Sequence, residues 1–326
     1  MKAKLEISTK QPTHSLDTLE LTLDYCVNKN HAKQYYKAIR KKKTILKIQS
    51  IIDAIPNEPT AQKRYWKTYH CNNIILQEND KFVGSLCRKR WCTECCRIKT
   101  AELTNAYKEP IKAIGQLYFV TLTIPNIQAK QLEPTIAKMI KAFQLIKNNI
   151  RKTYNIKLNG MRKIETTYNE ITNTYHPHFH LIQDNFEASE LILSLWLKQF
   201  PQATQKAQDI REIDTTNDNS FIELFKYATK ETTKDGKQYT GDVLHTIYEA
   251  IKSKRIYQTY GTIKKVKPPV EALTEPMQLD YIKPQFEIWY YENNLIDWTT
   301  SNNELLVNTL EIKNRIDTQK LISLKT

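Results

Sequence analysis

Tyr175-His176-Pro177-His178-Phe179-His180-Leu181-Ile182 is the stretch on which the reading of this chain turns. In a β-strand successive side chains alternate faces, so His178 and His180 point one way and Phe179 and Leu181 the other. Two imidazoles on one side, backed by apolar residues, make a platform for a divalent metal or simply a strand of solvated histidines. Spacing alone leaves both open. His176 shares the parity of the pair, although Pro177 is expected to interrupt the strand there.

The flanking segments supply the rest of a sheet. Met161-Arg162-Lys163-Ile164-Glu165-Thr166-Thr167-Tyr168 reads as a strand, and a polar turn through Asn169 to Thr174 returns it as a hairpin onto the histidine strand. Leu117 to Ile124 is rich in β-formers and ends at the turn signal Pro125-Asn126. Ile136, Met139, Ile140, Phe143 and Ile150 recur at helical period, with Lys138, Lys141 and Lys147 outside the stripe. A second amphipathic helix over Glu187 to Phe200 carries Leu191, Ile192, Leu195 and Trp196 and stops at Pro201. Ala207 to Ile213 reads as a strand, followed by a helix start at Asp218-Asn219-Ser220. This order predicts an α+β domain with an antiparallel sheet and helices on one side. No internal repeat and no GxxxxGK[ST] phosphate loop is present, so ATP hydrolysis is not expected.

The chain has 326 residues, with 49 Lys and Arg against 35 Asp and Glu and a formal net charge of +14. That balance calls for an anionic partner, and nucleic acid leads because cations cluster beside aromatics. The clearest clusters are Arg40-Lys41-Lys42-Lys43, Lys63-Arg64-Tyr65-Trp66-Lys67 and Arg88-Lys89-Arg90-Trp91. Their aromatics are candidates either for stacking on unpaired bases or for the core. No N-terminal apolar run resembles a signal peptide and no stretch is long enough to span a membrane, so a cytoplasmic protein without a membrane partner is expected. In a reducing compartment closely spaced cysteines bind metal more often than they form disulfides.

Cys71, Cys87, Cys92 and Cys95 fit that description, with Cys92-Thr93-Glu94-Cys95 a CxxC. Between them Ile74-Ile75-Leu76, a turn at Asn79-Asp80 and Phe82-Val83 read as a short hairpin. Four thiolates satisfy a closed tetrahedral Zn²⁺, which would be structural. His70 or Cys96 is an alternative for one ligand, and Cys26 reads as a buried apolar residue. N-terminal to this, a short strand over Leu19 to Tyr25 is expected, then a basic helix whose Ile45, Ile48, Ile51, Ile52 and Ile55 precede Pro56.

Past Ser220 the chain reads Phe221-Ile222-Glu223-Leu224-Phe225-Lys226-Tyr227-Ala228-Thr229-Lys230. Glu223 and Tyr227 are four apart and share a helical face, with Lys226 and Lys230 in an adjacent row. A tyrosine beside a metal platform can serve as a covalent nucleophile.

Together these motifs resemble those of the rolling-circle replication initiators of small bacterial plasmids, the Rep proteins of the HUH endonuclease superfamily. Phe119 to Asn126 resembles their first motif, His176 to Ile182 the metal motif, and Glu223 to Lys230 the third motif. Cys87-x4-Cys92-x2-Cys95 with Arg97 resembles the upstream cysteine segment, and similarity spans roughly residues 60 to 265. Thr93 stands where members often have Pro, and Glu231 to Gln238 separates the third motif from Tyr239, which keeps Tyr239 as a second candidate nucleophile.

The resemblance implies an HUH domain, ferredoxin/RRM-like, with a central antiparallel β-sheet flanked by helices. It implies residues 111–265 as the catalytic nickase domain, with 1–60 a basic helical extension, 61–110 the zinc-binding segment and 266–326 a C-terminal extension. It further implies Mg²⁺ or Mn²⁺ on His178 and His180, with Glu165 as third ligand and His176 as second choice. Tyr227 is then the nucleophile, Glu223 the base that acts at termination, and Lys226, Lys230, Arg88, Lys89, Arg90 and Arg97 contacts to origin DNA. A host helicase and polymerase would be partners. Competing readings are an HUH transposase or mobilisation relaxase, a metal-dependent hydrolase, and a zinc-containing DNA-binding regulator without catalysis.

Overall fold

A computed structural model describes residues 29–79, 81–214, 225, 231–233, 235–264, 266 and 286–314. The readings of Leu19 to Tyr25, Cys26, Glu223, Lys226, Tyr227 and Lys230 lie outside these residues. The chain divides into two compact units, one of Met1–Lys43, Asn72–Ser85 and Pro276–Thr326, the other of Thr44–Cys71 and Leu86–Glu275.

The larger unit is built on strands β3 (Leu117–Thr123), β4 (Gly160–Asn169), β5 (Thr174–Gln183), β6 (Asp209–Ile213) and β7 (Tyr257–Tyr260). Their order is β6-β3-β5-β4-β7, and every neighbouring pair is antiparallel. The histidine strand is therefore central, between β3 and β4. Parity does the rest. Val120, Leu122, Ile164, Phe179 and Leu181 project to one face and form a fully buried core. The apolar stripes of helix Ala129–Thr153 and helix Phe186–Gln199 cover that face, together with helix Gly241–Ile251. Gly241 opens the last of these where a Cβ would lie 1.9 Å from the Ser50 carbonyl oxygen, so only glycine permits that approach.

The opposite face is polar at one end and apolar at the other. Leu117, Met161 and Ile182 lie there, packed with Leu103 and Ile111 of helix Thr93–Lys112 and with Phe225. Helices thus cover both faces of the sheet rather than one, because the strand residues of the second face turn apolar beyond the histidines.

Two local expectations change in the folded chain. β5 runs unbroken through Pro177, which pairs with Thr166 of β4. Pairing with β3 ends at His178, and Tyr175 donates its N–H toward that same flank, to the Ile127 carbonyl. Two residues on, the backbone nitrogen of Pro177 points the same way into a gap in the ladder, where a missing donor costs nothing. Lys147, expected outside its helix, instead lies over the rings of Phe143 and Tyr260 at 5.9 and 5.1 Å. Burial lowers its pKa.

The smaller unit contains β1 (Ile74–Glu78), β2 (Lys81–Gly84), β8 (Glu287–Glu292) and β9 (Asp297–Thr299) in the order β2-β1-β8-β9. A lone hairpin is marginal in water, and here Ile74 to Gln77 pair with Tyr290 to Glu287 to extend it. Ile75, Trp289 and Trp298 form its core with Tyr35 and Ala38. The hairpin read within the cysteine segment thus shares a sheet with the C-terminal segment. The helix predicted before Pro56 runs Lys29–Ala54, its residues up to Lys43 in this unit and the remainder in the larger one.

Candidate active site

Register places the polar end of the second face. Thr123, His178 and Glu165 form one cross-strand row, and Thr121, His180 and Lys163 the next. Residues in a row share a face, so the two imidazoles and the carboxylate converge without any loop. The Nε2 atoms of His178 and His180 each lie 3.8 Å from a Glu165 carboxylate oxygen. One ligand atom from each of the three falls within 4.8 Å of the others. His178 Nδ1 sits 3.1 Å from the His176 carbonyl oxygen. A carbonyl only accepts, so Nδ1 donates there, and Nε2 is the ring nitrogen turned to Glu165. His180 Nδ1 similarly lies 3.3 Å from Thr121 Oγ1. His176 is outside the trio, its ring 5.4 Å from that of His178. Burial first, then His178, depresses its pKa.

Lys163 carries no motif of its own in the sequence, although it shares the parity of Glu165. Its Nζ lies 2.9 Å from Glu165 Oε2, and both side chains are almost fully buried. Burial alone would raise the Glu165 carboxyl, but Lys163 and then the histidines outweigh it and hold the pKa below the usual range. A depressed carboxyl contributes stability that is complete above its unfolded pKa of about 4.3. That contribution fades as pH falls through the lower folded value. Breaking a buried pair strands the remaining charge, so Lys163→Met in the presence of chelator is expected to cost about 3–5 kcal/mol. Urea denaturation measures this, and a variant as stable as the parent would refute the pairing.

The trio fits a divalent cation, since an imidazole–carboxylate set with ionised oxygen and oriented Nε2 atoms is the donor chemistry such ions take. Tyr239 is placed differently. It is buried, and its hydroxyl bonds the backbone N–H and carbonyl of Tyr168 at 3.2 and 3.3 Å. Phe225 is fully buried on the apolar end of the histidine-bearing face, stacked on Tyr107 with ring centroids 6.0 Å apart.

The cysteines form a second centre. Sγ–Sγ separations are 3.6 Å for Cys71–Cys95 and Cys71–Cys92 and 3.7 Å for Cys87–Cys95. A tetrahedral ion with bonds of about 2.3 Å spaces its sulfurs about 3.8 Å apart, whereas a disulfide needs about 2.05 Å. The backbone N–H groups of Cys87 and Arg88 point at Cys71 and Cys95 Sγ. Cys92 occupies the N-cap position of the helix that carries Cys95. Cys96, an alternative ligand, instead donates to the Arg90 carbonyl at 2.8 Å, and burial pushes its thiol up to about 12. His70 is likewise outside the group, in ring contact with Trp66.

Of the basic clusters, Arg88, Lys89 and Arg97 are exposed, with Arg97 also paired to Glu94. Arg90 is half-buried and donates to the Ile251 carbonyl. Tyr65 and Trp91 belong to the core, with rings 5.2 Å apart, so neither is exposed to stack on bases; Trp66 is exposed.

A family model described as replication protein matches residues 82–294 of this chain. A protein rep of Bacillus sp is 24% identical over 249 residues, covering 64% of this chain and 81% of its own length. That of Bacillus amyloliquefaciens is 25% identical over 250 residues, covering 64% and 73%. One from Streptococcus pneumoniae serotype 2 is 26% identical over 201 residues, covering 57% and 59%. No solved structure gives a significant match. Among the described residues, no helix is long and apolar enough to cross a membrane.

Proposed function

The chain belongs to the replication-protein family, and from that premise we propose that it initiates plasmid rolling-circle replication by cutting one DNA strand at the origin. The observation that carries the reading is the shared sheet face. Phe225, two residues before Tyr227 in sequence, packs on the face that presents Glu165, His178 and His180. The burial of Tyr239 favours Tyr227 as the attacking residue.

Glu165, His178 and His180 would hold Mg²⁺ or Mn²⁺, which when bound supplies Lewis-acid polarisation of the scissile phosphate. The chain's own residues do the remaining work. Tyr227 loses its phenolic proton and its oxygen bonds phosphorus as the bond to the 3′-oxygen breaks. The departing oxygen takes up a proton, leaving a 5′-phosphotyrosine and a 3′-OH primer. No ATP is consumed, because the phosphodiester is exchanged for another ester. Lys226 and Lys230 offset charge on the phosphate, while Arg88, Lys89, Arg90 and Arg97 contact backbone and set the salt dependence. Cys71, Cys87, Cys92 and Cys95 hold a structural Zn²⁺. We place catalysis in residues 111–265, the site of action in the cytoplasm, and a host helicase and polymerase downstream of the nick.

Glu223 acts as general base at termination, activating water in place of a second tyrosine. Glu223→Ala is therefore expected to form adduct at near-parental rate and to slow its release at least about 100-fold. Pulse-chase of labelled adduct reads this, and loss of the first cut would overturn the assignment. The whole reading is tested with purified protein, Mn²⁺ and single strands from its plasmid's origin. A chelator-sensitive covalent adduct on Tyr227, mapped by peptide mass spectrometry, is expected. DNA binding without adduct anywhere in the origin favours the regulator.

A further inference from the structure

Beside the cysteine centre lies a cavity of about 430 Å³, within the roughly 300–1,000 Å³ typical of small-molecule sites. Its walls combine two chemistries. Ile251, Ile256 and Leu103 are buried apolar residues, with half-buried Ile98 beside them. Arg88, Lys89, Arg90 and Lys99 supply cations against one carboxylate, Glu102, which pairs with Lys99 at 3.0 Å. Arg88, Lys89 and Lys99 are exposed. An apolar interior with a cationic rim matches a nucleotide, whose base is a flat π surface and whose phosphates are anionic.

The cavity also touches the segment that bears the proposed nucleophile. Thr100 Oγ1 and Tyr257 Oη, both lining it, each donate to the Phe225 carbonyl at 3.0 Å. Tyr227 follows Phe225 by two residues in the sequence.

Building on the nicking reading, we propose that this cavity takes up one unpaired nucleotide flanking the scissile phosphate, its base against Ile98 and Ile256 and its phosphates on Lys89 and Lys99. The cavity thereby contributes to the choice of cutting site.

The test uses the full-length protein in chelator and fluorescein-labelled single-stranded 30-mers tiling its own origin, with Kd read by anisotropy. Each base near the nick is replaced in turn by an abasic site. In the parent protein one or two positions are expected to weaken binding about tenfold. Ile98→Trp, which fills the cavity, should weaken binding of intact DNA by a similar factor and make those same positions insensitive. Lys89→Ala and Lys99→Ala should each lower the slope of log Kd against log salt by about 0.7. Full abasic penalties retained in Ile98→Trp overturn the proposal. Should that variant melt early, unchanged salt slopes in both exposed lysine variants overturn it instead. Since the readout is binding without cleavage, a Tyr227 adduct with no loss of base sensitivity rejects the cavity and keeps the nicking. Base sensitivity lost in Ile98→Trp without any adduct does the reverse.

Discussion

Tyr227→Phe is expected to eliminate the covalent DNA–protein adduct and to lower cutting of single-stranded origin DNA at least about 10⁴-fold, the scale seen when a nucleophile is removed. The substitution keeps the ring and deletes only the attacking oxygen, so packing and DNA affinity should hold within about twofold. Tyr239→Phe is the matched control. Tyr239 sits in the core with its hydroxyl on the Tyr168 backbone, so the change should cost about 1 kcal/mol of stability and leave the adduct intact. Denaturing gels of labelled oligonucleotide measure both. An adduct surviving in Tyr227→Phe and lost in Tyr239→Phe would move the nucleophile and force Tyr239 out of its buried position during the reaction.

The second large effect is on folding. Cys87→Ser, or stripping metal with a strong chelator, is expected to release one equivalent of zinc. The stability lost should be comparable with the whole of a domain's net stability, about 5–15 kcal/mol. Hydrogen bonds from Cys71, then Cys92 and Cys95, hold the Cys87 thiol well below its ordinary range. The sulfurs stand at separations a tetrahedral ion requires. Without a cation, four adjacent thiols cannot all ionise, and the segment from Cys71 to the first turn of the helix at Thr93 loses its tie. Elemental analysis beside limited proteolysis reads both outcomes. A variant that keeps its zinc, or that melts with the parent after losing it, excludes a structural site.

Much of the site follows from residue alternation alone. A strand has period two, so His178 and His180 had to share a face and Phe179 and Leu181 the other, whatever sheet received them. The helices over Ala129–Thr153 and Phe186–Gln199 follow equally from their apolar periods. The hairpin return through Asn169 to Thr174 puts Glu165 across from His178. Cys87, Cys92 and Cys95 lie close in sequence, whereas Cys71 joins them across the β1–β2 hairpin.

Tertiary structure decided what local pattern cannot encode. Lys163 reads as an ordinary strand lysine until the sheet closes over it and leaves Glu165 as its counter-charge. Tyr239 reads as a candidate nucleophile, and packing against Tyr168 buries it with its hydroxyl on the Tyr168 carbonyl. Tyr65 and Trp91 sit among cations in sequence, yet their rings face each other inside. Strand β1 finds β8 more than two hundred residues away. Each outcome depends on which distant surfaces meet and how much apolar area they bury. Alternation and helical period arise from bonds between neighbours, whereas burial and counter-charge exist only once the chain has closed on itself.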